Sequence, residues 1–147
     1  MASLEFSSEG LIFFNNSILY LDILCITISI FLATIFLQSG LDKILNWDAE
    51  LEWMSKQFEN TPLASGLQIG LFVVTILELL GGGLSALGVL WILFRDGHSV
   101  GLVGAMLCSF SLCVLMFGQR MSKNYEGAAS LVPYFILSIL GFYFYTL

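Results

Sequence analysis

Four long apolar runs alternate with short polar stretches, at about 18–45, 66–94, 100–118 and 128–147. A helix needs about 20 apolar residues to cross about 30 Å of hydrocarbon, and each run meets or nearly meets that length. No run alternates apolar with polar positions, and the chain is short for the many strands of a barrel, so strands are excluded. In lipid, a helix satisfies its own backbone groups. The links set the order of the helices. Arg95-Asp96-Gly97-His98-Ser99 is a tight turn, and Gly118 to Gly127 is a short polar loop. Short links force antiparallel neighbours. The pattern predicts one all-α domain over 1–147, an integral membrane up-down-up-down four-helix bundle.

The first link differs in kind. Between about 47 and 60, apolar residues recur at Trp47, Leu51, Met54 and Phe58, among Asp48, Glu50, Glu52, Lys56 and Glu59. Steps of four, three and four mark one helical face. Pro62 discourages helix at Thr61. The spacing predicts a short amphipathic helix lying flat at the interface, with Trp47 and Trp53 at headgroup depth. A helix packed on the rim of the bundle fits the same spacing. Trp91 and Phe142-Tyr143-Phe144-Tyr145 fall near span ends on the other side and read as aromatic anchors.

Composition supports lipid as the solvent. Of the 147 residues, 58% are hydrophobic and 11% charged, against about 25% charged in soluble domains. A net charge of −6 excludes nucleic acid as a partner and argues against a polybasic anchor. The first ten residues hold no Lys or Arg, so a cleaved signal peptide is not expected. Cys25, Cys108 and Cys113 lie in apolar runs without a CxxC pair and read as inert thiols, with no metal site. Lys43, Lys56, Arg120 and Lys123 lie on one side and Arg95 on the other. With Lys43 and Arg120 set aside as pocket residues, two cations face one, and the orientation of the termini stays open.

Glu78 is the most informative residue, because it stands near the middle of the second run. A carboxyl in hydrocarbon costs several kcal/mol unless it faces other helices and finds partners. It is read either as the floor of a polar pocket or as a clasp between helices. By topology, Asp42, Lys43, Gln119 and Arg120 crowd one mouth of the bundle. Glu78 lies ten residues in from Gln68, a depth of about 15 Å. Gly40 shares a face with Lys43, and Gly81 with Ser85 and Gly82 with Ala86 form small-residue pairs suited to close packing. On the far side Asp22 is level with Arg95 and His98, and an Asp22–Arg95 ion pair is expected.

These segments resemble a known family. Gln38-Ser39-Gly40-Leu41-Asp42-Lys43-Ile44-Leu45 is similar to the end of the first helix of the DoxX-like membrane proteins. Glu78-Leu79-Leu80-Gly81-Gly82-Gly83 with Leu87-Gly88 resembles their second helix. Phe117-Gly118-Gln119-Arg120 through Tyr125-Glu126-Gly127-Ala128-Ala129 resembles their third loop in bacterial members. The resemblance implies a four-helix protein of the bacterial inner membrane, and suggests a quinone as ligand. Some redox-associated relatives depend on paired cysteines, which this chain lacks. The expected role is a small subunit or accessory protein of a larger membrane complex, or a homo-oligomer, without independent catalytic activity. A small proton-coupled transporter and an assembly factor without ligand are the alternatives.

Overall fold

In lipid the cheapest way to satisfy a long apolar backbone is a helix, and each of the four runs is one. The structure, a computed structural model, describes residues 5–6, 10–13, 16–95 and 97–147, with side chains over 20–94 and 97–147. The helices are α1 (Tyr20–Leu45), α2 (Trp47–Phe58), α3 (Leu67–Arg95, preceded by a 3-10 turn at Ala64–Gly66), α4 (Ser99–Met121) and α5 (Tyr125–Phe144). Among the described residues, all but α2 are long and apolar enough to cross a membrane.

Strands were excluded from the sequence, and that holds for the four runs but not ahead of them. Three short strands, β1 (Glu5–Phe6), β2 (Gly10–Phe13) and β3 (Asn16–Leu19), pair antiparallel in the order β1-β2-β3. Leu19 pairs with Gly10, so the first helix starts at Tyr20 rather than near 18. The last helix starts at Tyr125, earlier than 128. Asn124 caps it, its Oδ1 accepting the Gly127 N–H at 2.9 Å, which satisfies an otherwise orphan donor of the first turn.

The α3–α4 contact follows one spacing. Leu71, Val74, Glu78, Gly81, Ser85 and Gly88 step by three and four along α3, as do Gly101, Gly104, Cys108, Ser111 and Leu115 along α4. This is the 3.5-residue repeat that keeps one seam facing a partner. A methyl group placed on Gly88 would stand 2.5 Å from Gly101 Cα. One on Gly104 would stand 2.5 Å from the Ser85 backbone nitrogen, and one on Gly81 2.9 Å from Cys108 Sγ. The seam therefore runs antiparallel with Gly88 on Gly101, Ser85 on Gly104 and Gly81 on Cys108. Gly40 and Gly82 do the same for α1 and α3, facing Leu79 and the Leu37 backbone.

The aromatic run at the C-terminus was expected to face lipid as a whole. Tyr143 is exposed, but Tyr145 is 5% exposed and turns inward. Its hydroxyl meets Ser29 Oγ at 2.7 Å and lies over Gly101, where a side chain would collide with the ring. Tyr145→Phe is expected to lower stability by about 1 kcal/mol, because Ser29 is left buried without its partner. Tyr143→Phe should change nothing measurable. Unfolding midpoints in titrations with sodium dodecyl sulfate check both.

Candidate functional site

Glu78 sits on the α3 seam with its side chain 1% exposed. Its partner comes from α1. Lys43 Nζ stands 2.9 Å from Glu78 Oε2 and 3.1 Å from Oε1. The alignment suits a hydrogen bond to Oε1, which also accepts from Ser39 Oγ at 3.2 Å. Oε2 has the charge beside it but no aligned donor. Lys43 also donates to Ser39 Oγ at 2.7 Å and to the Ser39 carbonyl at 3.5 Å. Ser39 and Lys43 are one turn apart on α1, so they share a face. Gly40 lets that face come close to α3, because the Leu79 side chain occupies the space of its missing Cβ.

A cavity of about 320 Å³ opens beside this pair. Leu67, Leu71 and Val74 of α3 and Val114, Leu115 and Gly118 of α4 form its apolar wall, with Lys43, Glu50 and Gln119 as its charged and amide groups. Ligand sites of about 300–1,000 Å³ with apolar walls and few polar groups are the common pattern. Val74 is one turn from Glu78, so the buried ion pair lies at the inner end.

Helix α2 covers the cavity with Trp53, Met54 and Phe58. The helix packs against the end of the bundle. Phe58 is buried at 5% exposure, and its ring stands over Gly118. Gln57 ties α2 to the end of α4, its Nε2 donating to Gln119 Oε1 at 2.9 Å and to Ser122 Oγ at 2.8 Å. Trp47 is half-buried, and Trp53 is exposed on its outer side.

The expected cluster of Asp42, Lys43, Gln119 and Arg120 is only partly assembled. Lys43 and Gln119 line the cavity. Asp42 is exposed, and its carbonyl accepts from the Asn46 side chain at 3.2 Å. Arg120 is exposed and stacks over the Tyr125 ring at 4.7 Å, a cation–π contact. Each is one residue from a cavity residue, a rotation of about 100° around the helix, which takes its side chain away from the cavity.

At the far end Asp22, 4% exposed, meets His98 Nε2 at 2.7 Å. The expected partner, Arg95, has its side chain outside the described residues. The His98 ring also packs edge-on against Tyr145 at 5.9 Å. Cys25 and Cys108 are buried and Cys113 is exposed, none of them paired.

Two polar residues at the site escaped the sequence: Ser39 and Gln57. Ser39 stands four before Lys43, a spacing that puts both on one face. Gln57 precedes Phe58 on the amphipathic helix. Comparisons with family models, curated proteins and solved structures find no match to this chain.

Proposed function

We propose that this chain is an integral membrane protein, an up-down-up-down bundle, that acts as a small subunit or accessory protein of a larger membrane complex and holds a small amphipathic molecule beneath α2. The observation that carries this reading is the apolar cavity whose inner end rests on the buried Lys43–Glu78 pair. Beyond Glu78 the seam closes, with Gly81 packed on Cys108. A blind pocket of this form suits holding a molecule better than passing one across. A quinone, the class suggested by the DoxX-like resemblance, has the required apolar body and polar edge. Exposed Ile69, Phe72, Phe94 and Phe110 on the outer faces suit lipid and neighbouring subunits.

Trp53 gives a direct test. With Trp47 and Trp91 replaced by Phe it becomes the sole tryptophan of the chain's three, and the protein is placed in phosphatidylcholine vesicles. Titration with 8-bromooctan-1-ol is expected to quench Trp53 saturably. Gly70→Phe should remove the saturable part, because a Cβ there meets nothing within 4 Å and the ring has room at the cavity wall. Linear quenching, unchanged by Gly70→Phe, would remove the ligand-binding reading. For the subunit reading, mild detergent extraction from native membranes should recover stoichiometric partners. A lone monomer or homodimer would overturn it.

A further inference from the structure

The cavity beneath α2 has a charged side chain without a counter-charge. Glu50 lines it and is half-buried, and its carboxylate makes no ion pair and accepts no hydrogen bond among the described residues. The cations on the same elements are engaged elsewhere. Lys43 Nζ is held by Glu78 and by Ser39 Oγ. Lys56 pairs with Glu52 at 2.7 Å on the exposed face of α2. The charge of Glu50 also reaches Glu78, so two carboxylates share one ammonium and the region is left net negative.

The surroundings of Glu50 select the group that would pair with it. Trp53 and Met54 follow it by three and four residues on α2 and line the same cavity, so the three share one helix face. A carboxylate beside an aromatic ring suits an organic cation, because the ring face attracts positive charge, most strongly at Trp. A partly buried charge is also screened less by salt than an exposed one. A bare divalent ion would need about six oxygen ligands, which these apolar walls do not supply. A neutral head, a quinone's carbonyls included, leaves Glu50 unpaired. An anionic head would be repelled by Glu50 and would have to draw Lys43 away from Glu78.

We propose that the cavity takes an ammonium group carried on an apolar chain, with the charge on Glu50 beside Trp53 and the chain against Leu67, Leu71 and Val74. This rests on the cavity being a ligand site, and it deepens that reading by naming a cationic head. A free alkylamine and the ammonium headgroup of a lipid share this chemistry.

The sole-Trp53 protein in dodecyl maltoside micelles, where no headgroup carries an ammonium, separates the two claims. Trp53 is first quenched with 8-bromooctan-1-ol, and unbrominated competitors of equal chain length then relieve the quenching, with concentrations counted in the micelle. At neutral pH octan-1-amine is expected to half-relieve at about one tenth the concentration of octan-1-ol, the effect of one charge-assisted contact. Octanoate should be the weakest. Glu50→Gln should bring the amine to within about threefold of the alcohol while leaving the alcohol where it was. Asp48→Asn removes an exposed acid of the same first turn that lies outside the cavity, and it should keep the full preference for the amine. Equal relief by amine and alcohol with Glu50 in place would overturn the cationic head and leave the cavity reading standing, with a neutral ligand. A loss in Asp48→Asn as large as that in Glu50→Gln would trace the preference to overall negative charge and also overturn it. Relief by phosphatidylethanolamine as strong as that by the amine would assign the ammonium to a lipid, and relief by the amine alone would assign it to a free amine. Absence of saturable quenching would overturn both claims.

Discussion

Lys43→Met is expected to lower the unfolding free energy by about 3 kcal/mol, the largest loss of any single change at the site. The substitution removes the only cation beside Glu78 among the described residues and leaves its carboxyl on a closed helix seam. Breaking a buried pair from one side costs far more than the pair contributes, because the survivor keeps its desolvation penalty. The figure lies at the low end of the range for such pairs, since a membrane helix finds other partners in the unfolded state. The double variant Lys43→Met/Glu78→Leu should therefore return to within about 1 kcal/mol of the original, as apolar replacements of buried pairs do. Detergent unfolding curves for the four proteins of the cycle give the coupling directly. A neutral Lys43→Met would mean that Glu78 is not held as an ion pair.

Gly104→Val should cost about 2–3 kcal/mol by overpacking. A Cβ at Gly104 stands 2.5 Å from the Ser85 backbone nitrogen, and a backbone atom cannot rotate out of the way. α3 and α4 must separate there, and the layers on either side loosen with them. Gly83→Ala is the matched control. A Cβ at Gly83 meets nothing within 4 Å, and Ala is favoured over Gly inside a helix by up to about 1 kcal/mol. That variant should be as stable as the parent or more so. The two results together would show that glycines of one bundle do unlike work, Gly104 in close contact and Gly83 free. A harmless Gly104→Val would contradict the close approach of α3 and α4.

Much of this was legible beforehand, for identifiable reasons. Hydrocarbon leaves an apolar run little choice but a helix, so α1, α3, α4 and α5 follow from hydropathy. The steps among Trp47, Leu51, Met54 and Phe58 encode α2. Lys43 was placed at the mouth of the bundle and Glu78 about 15 Å below it, and the structure pairs the two directly. Asp42 and Arg120 had the right level but the wrong rotation, which a level count ignores. Tyr145 was misread because lipid-facing and buried aromatics share residue types, and only Ser29 and Gly101 on other helices reveal its direction. Ser39 carries no signal alone, since serine is ordinary in packed membrane helices. Its meaning appears when the α1 face is laid against α3 and Glu78. The three strands near the N-terminus are too short for their alternation to show.

The order of the helices along the chain bears on how the ion pair enters a membrane during synthesis. Domains fold from the N-terminus as the chain emerges, and α1 precedes α3. Lys43, in the last turn of α1, can keep its ammonium in the headgroup region while it waits. Glu78, in the middle of α3, has no such refuge and arrives later. The cation is thus in place before the residue that needs it, and the penalty for inserting a carboxyl into hydrocarbon falls due when its counter-charge is already within reach. An interchange of the two residues would reverse that order and strand the acid first.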